Sequence, residues 1–149
     1  DGNGESEYVQ RLLSRAKTMP NVHLHGAVPH ESVHQFYQRS AALICTSQAE
    51  GFPNTFLEAW SCGLPIISTV DPDNLIAEKR IGAACRDVQE LASGIRALLA
   101  DEKQWQQASQ AARRYYIENH TIDAVMPRFE RIFCDVVNSV DDKRVGDNV

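Results

Sequence analysis

Two glutamates, Glu50 and Glu58, bracket a Gly51-Phe52-Pro53 break and the first turn of a short apolar segment. Pro53 forces Phe52 into extended backbone and cannot lie deep in a helix, so a helix is predicted to begin there. The N–H groups of Asn54, Thr55 and Phe56 then have no helical acceptor. Together with the helix dipole they favour an anion such as a diphosphate. Gly51 lets backbone approach a ligand closely. An ionised carboxylate is a strong acceptor for hydroxyl groups, so the pattern suits a ligand carrying both phosphate and hydroxyls. A plainer reading uses the same residues: Thr55-x-x-Glu58 is also a capping box, and Glu50 alone is a solvated loop acid. The side chains of Phe52, Phe56, Leu57 and Trp60 read as packing groups.

The elements around this segment alternate. Residues 5–18 and 30–39 carry helical apolar spacing, and residues 22–26 (VHLHG) alternate like a strand. Residues 41–47 (AALICTS) form a continuous apolar run, as in a parallel strand covered on both faces. A helix over 54–62 is stopped by Gly63, Pro65 opens the strand PIIST, and 71–82 is read as a loop before a short strand at 83–85. Helices are predicted over 88–99, 102–118 and 122–140, followed by a frayed tail over 141–149. DGNG at the start reads as a turn. Strands alternating with helices predict an α/β fold: a doubly wound, Rossmann-like parallel sheet, helices on both faces, C-terminal helices packed outside. Right-handed crossovers bring the strand-to-helix loops to one sheet edge, where ligands bind.

Composition narrows the function classes. The chain has 149 residues, 43% hydrophobic and 23% charged, with a net charge of -5. Mild acidity without a basic cluster argues against nucleic acid or an anionic membrane as partner. No apolar run is long enough to span a bilayer, and the polar first residues carry no signal-peptide pattern. Four cysteines, Cys45, Cys62, Cys85 and Cys134, never form C-x-x-C, which suits a reducing, cytoplasmic setting. His23 and His25 read as a solvated strand face rather than metal ligands.

The segment EGFPNTFLEAWSCGLPIIST resembles the E-x7-E signature of retaining glycosyltransferases of the two-domain GT-B architecture, in glycosyltransferase family 4 (group 1). Glu50 and Glu58 stand at its two acidic positions, with Ala59, Gly63 and Pro65 following as the family usually has them. The order of elements resembles that family's donor-binding C-terminal domain. The resemblance implies that residues 1–140 form part of a nucleotide-sugar domain. The full enzyme would move a hexose from a UDP- or GDP-sugar to a sugar, lipid or polysaccharide hydroxyl, as in polysaccharide biosynthesis. It implies Glu50 as the catalytic carboxylate at the donor-sugar hydroxyls and Glu58 at the ribose. Gly51, Phe52, Asn54, Thr55 and Phe56 complete the donor contacts around the helix start. Val28, in Gly26-Ala27-Val28-Pro29, corresponds to a segment that touches the base, and Gly2 and Gly4 to a glycine turn near the phosphates. No cofactor and no metal is expected.

Three departures accompany the resemblance. DPDNLI, beginning at Asp71, stands where the family often has Gly-Gly-x-x-Glu; its D-x-D spacing reads as a turn because of Pro72. The family's upstream Arg and Lys, which neutralise the leaving diphosphate, are not in this sequence. Neither is the N-terminal acceptor-binding domain, which is also the part expected to carry any membrane association. The chain therefore reads as a fragment that is inactive alone. The alternative is a non-catalytic nucleotide or sugar-nucleotide binding module. A flavodoxin-like signalling receiver has similar layering, but its chemistry needs an Asp and a Lys where these strand ends offer Ser47, Thr69 and Gly26.

Overall fold

The computed structural model describes residues 3–146, with side-chain environments for 7–138. Its elements run α1 (Asn3–Lys17), α2 (His30–Arg39), β1 (Leu43–Cys45), α3 (Asn54–Ser61), β2 (Ile66–Ser68), a 3-10 turn (Pro72–Asn74), α4 (Leu75–Lys79), β3 (Gly82–Ala84), α5 (Val88–Ala100), α6 (Glu102–His120) and α7 (Ile122–Gly146). The chain divides into two compact units, residues 1–33 and 34–149.

The larger unit is built on a parallel sheet in the order β1-β2-β3. Leu43 pairs with Ile66, and Ile66 with Gly82. Successive side chains of a strand point to opposite faces, so β2 feeds two cores at once. Ile66 packs with Phe56, Ala59 and Trp60 of α3, Ile76 of α4 and Ala112 of α6. Ile67 packs with Leu91 and Leu98 of α5 and Ala108 of α6. Helices thus cover both faces, and α6, with α7 against it, closes the outside. Gly82 makes the β2–β3 approach possible: a Cβ there would lie 1.8 Å from the Ile66 carbonyl oxygen, at φ +155.

Local signals set the helix ends. α3 stops in a Schellman motif, with Leu64 N–H donating to the Ala59 carbonyl (2.9 Å), Gly63 N–H to that of Trp60 (2.9 Å), and Gly63 at φ 69. α5 starts on Asp87, whose carboxylate accepts from the N–H groups of Gln89 and Glu90, both at 2.8 Å.

The structure corrects several expectations. Residues 22–26 form no strand, because no neighbouring strand pairs with them among the described residues, and alternation alone does not make a ladder. β1 is not covered on both faces: it is an edge strand of the sheet, and Ile44 is 40% exposed. The loop expected over 71–82 contains α4, started by Asp71 from a distance; its carboxylate accepts from Ile76 N–H (2.7 Å) and Ala77 N–H (3.2 Å). α1 begins at Asn3, so the DGNG segment is helical from there rather than a turn. The tail expected from residue 141 is helical to Gly146, since no proline or glycine interrupts residues 128–145.

Candidate functional site

In a parallel sheet every strand ends on the same edge, so the segments after Cys45, Ser68 and Ala84 emerge together. There the end of β2 holds the loop after β1. Thr69 donates its N–H to the Cys45 carbonyl (3.1 Å) and its hydroxyl to the Ser47 carbonyl (2.8 Å). Ser47 in turn donates its hydroxyl to Glu50 Oε1 at 2.7 Å. Glu50 is exposed yet oriented, through a chain of bonds that starts on the buried sheet. Gly51 is also exposed, and a Cβ added there would meet nothing within 4 Å, so protein packing does not demand its small size.

α3 opens directly out of this loop. Its N-cap is Pro53, extended at φ -68 and ψ 121, and no side chain caps the helix or adds an acid to its first turn. Phe56 N–H is already donated to the Pro53 carbonyl at 3.0 Å, and the Phe56 side chain is fully buried. The expectation of three open N–H groups is corrected accordingly: Asn54 and Thr55 retain theirs, both exposed and without an acceptor among the described residues. A proline N-cap brings no side-chain oxygen acceptor, which keeps this dipole end open to an anion.

The capping box does not form. With Pro53 as N-cap, Thr55 is the second helical residue, and its frame with Glu58 is lost. Glu58 instead accepts a hydrogen bond from the Tyr37 hydroxyl of α2 at 2.9 Å. Burial, then the hydrogen bond and charge of Glu58, then Cys62, push the Tyr37 pKa up to about 12. One helical turn along each helix, Cys62 Sγ lies 3.3 Å from His34 Nδ1, while His34 Nε2 meets Gln38 Nε2 at 3.0 Å. α2 is therefore laid along α3 by two polar contacts, and Glu58 is aimed by one of them.

The larger unit brings Glu50, Gly51, Phe52, Asn54, Thr55 and Glu58 together at one sheet edge, on the loop and α3. Phe52 is 39% exposed and sits edge-on to Trp60. Val28 is half-buried in the smaller unit, in the segment before α2. Gly4 lies within α1, which removes the glycine turn there, and Gly2 falls outside the described residues. Asp71, the first acid of the D-x-D spacing, is engaged at the start of α4. No group of three metal-ligating residues occurs among the described residues. Lys79 and Arg80 precede the start of β3, at the sheet edge opposite Glu50. Sequence reading missed Tyr37, Ser47 and Thr69 as positioning groups. Tyr37 reads as part of an apolar helix face, and only its phenolic hydroxyl hinted at a polar partner.

The comparisons with known proteins fall on this same region. Residues 1–101 match the family described as glycosyl transferases group 1. A protein of Haemophilus influenzae described as an uncharacterized glycosyltransferase is 26% identical over 137 residues, which is 88% of this chain and 38% of that protein. The chain thus spans 38% of the length of the curated relative it matches. No solved structure matches it. The matched span runs from α1 through α5 and contains both glutamates, the open start of α3 and the sheet edge that holds them, and on that ground the chain belongs to the group 1 glycosyltransferases.

Proposed function

We propose that this chain is the donor-binding part of a retaining glycosyltransferase of family 4. The whole enzyme transfers a hexose from a UDP- or GDP-sugar to a sugar, lipid or polysaccharide hydroxyl in the cytoplasm. The observation that carries the reading is the uncapped start of α3. Two exposed N–H groups, without acceptors among the described residues, stand between a carboxylate oriented by Ser47 and one oriented by Tyr37. In this reading the helix start takes the diphosphate, Glu58 the ribose hydroxyls and Glu50 the hydroxyls of the transferred sugar. As the glycosidic bond breaks, negative charge grows on the diphosphate. Preorganised N–H groups stabilise that charge without reorganising, which lowers the barrier. Attack on the same face as the departing diphosphate, with no external metal, follows from the family resemblance. The four unbridged cysteines suit the reducing compartment.

Calorimetric titration of the chain with UDP, GDP and ADP tests the donor site. One nucleotide is expected to bind selectively, and Glu58→Ala to weaken it by about 10- to 100-fold, as for a lost charged hydrogen-bond acceptor. Glu50→Gln leaves nucleotide affinity nearly unchanged and weakens only the sugar nucleotide. A folded chain that binds none of the three, or binds one equally well as Glu58→Ala, overturns the assignment.

A further inference from the structure

Four aromatic rings close on one another beneath the loop that carries Glu50. The Phe52 ring lies 6.1 Å from Trp60 and 6.1 Å from His120, and the Tyr115 ring lies 5.3 Å from Trp60 and 5.2 Å from His120. Trp60 and Tyr115 are edge-on to each other, a favoured ring geometry. Phe52 belongs to the loop, Trp60 to α3, and Tyr115 and His120 to the last turns of α6. The C-terminal end of α6 therefore grips the loop two residues from Glu50.

Two polar atoms are buried here without a hydrogen-bond partner among the described residues: Trp60 Nε1 and His120 Nε2. Buried polar atoms are rarely left so. In the neutral imidazole with its proton on Nδ1, Nε2 is an acceptor, complementary to the donor on Trp60. A second proton would make both atoms donors and place a charge inside the ring cluster.

We propose that His120 is a positioning residue for the loop from Glu50 to Phe52: its neutral ring holds Phe52 in the cluster, and protonation releases it. The consequence, weaker donor binding on acidification, rests on the donor-site reading above. Burial and the nearest charged group act in the same direction. Burial, and then the Arg128 guanidinium of α7, hold the His120 pKa below the usual imidazole value. Arg128 is kept nearby by the Glu118 carbonyl and Asn119 Oδ1. The negative dipole end of α6 works the other way. Tyr115 and Tyr116 face the ring from its own helix, Asp73 of the 3-10 turn acts on Tyr115, and α3 contributes the uncharged Trp60. Glu50 is exposed and bonded to Ser47.

Nuclear magnetic resonance of the chain through an acid titration reads the device directly. The His120 ring is expected to titrate with a midpoint below about 6.5. The Phe52 ring protons and the Trp60 indole N–H should follow with that same midpoint, and both should stay flat in His120→Phe. In the calorimeter, affinity for the nucleotide bound best should fall by at least about threefold on acidification from about pH 7.5 to about 5.5. His120→Phe, which keeps the ring, and His120→Gln, which keeps an acceptor that does not titrate, should lose that dependence. Phe52 signals that ignore the His120 titration, or an equal fall in affinity in both variants, overturn the proposal. A chain that binds no nucleotide at any pH, yet shows the coupled titration, removes the donor reading and leaves the hold of His120 on the loop standing.

Discussion

Replacing Tyr37 with phenylalanine removes one hydroxyl, and with it the bond that aims Glu58. The bond is 2.9 Å long, its acceptor is charged, and both partners are half-buried. A hydrogen bond to a charged group contributes about 1.5–3 kcal/mol when buried, and solvent at this site reduces that to about 1–2 kcal/mol. Urea unfolding at neutral pH should show Tyr37→Phe less stable by that amount. A double-mutant cycle with Glu58→Ala should assign most of it, about 1 kcal/mol, to the pair.

A pH arm tests the same contact independently. Tyr37 binds its proton more tightly in the folded chain, with its pKa raised from 10.0 to about 12 by burial first and Glu58 second. The associated stability is complete below the unfolded value and is lost as pH rises through the native one. A rise from 10.0 to about 12 corresponds to about 2.7 kcal/mol, and screening at a partly exposed site reduces this to about 1 kcal/mol. Wild type should therefore lose about 1 kcal/mol more than Tyr37→Phe over that alkaline window. If Tyr37→Phe is neutral while Thr55→Ala costs about 1 kcal/mol, Glu58 serves a capping box and the reasoning fails.

Two further predictions concern the frame that carries the site. Gly82→Ala should destabilise the chain by more than about 3 kcal/mol in urea unfolding, because its Cβ would overlap the Ile66 carbonyl at 1.8 Å. A loss below about 1 kcal/mol would refute the β2–β3 register. Arg80 ends α4 in the left-handed region at φ 55 and ψ 40, a conformation that costs a side-chain-bearing residue about 1 kcal/mol. Arg80→Gly should raise the thermal midpoint and gain about that amount, and a destabilised variant would mean that the side chain has a structural partner.

Much of this molecule was legible in its sequence because the deciding interactions are local. The helix over 30–39 follows from apolar spacing, and the stop of α3 from a glycine that adopts positive φ without a Cβ penalty. Pro53 marks the start of α3, since its ring permits no other role in that turn. The spacing of Glu50 and Glu58 and the residues around them point to the family that residues 1–101 match.

Other features depend on which elements come to lie together, and no local pattern encodes that. In sequence terms Glu58 had two readings, a tie back to the helix start and the ribose hydroxyls that the resemblance implies; packing of α2 along α3 gave it a protein partner that neither named, Tyr37, 21 positions away. Asp71 caps α4 from five and six residues upstream, a reach outside the usual capping frame, so a helix stands where a loop was expected. Residues 22–26 have the alternation of a strand without a neighbour to complete the ladder, and Ile44 has the hydrophobicity of a core residue on an edge strand. Sequence by itself determined most of the helices, the start and stop of α3 and the apolar strands, because those follow from bonds between near neighbours, and it offered Glu50, Glu58 and the helix start between them as candidates for a phosphate- and hydroxyl-bearing ligand. Tertiary structure alone decided that the Tyr37 hydroxyl aims Glu58 and which rings close beneath Phe52, because those contacts form only after separate elements have buried their apolar faces against one another.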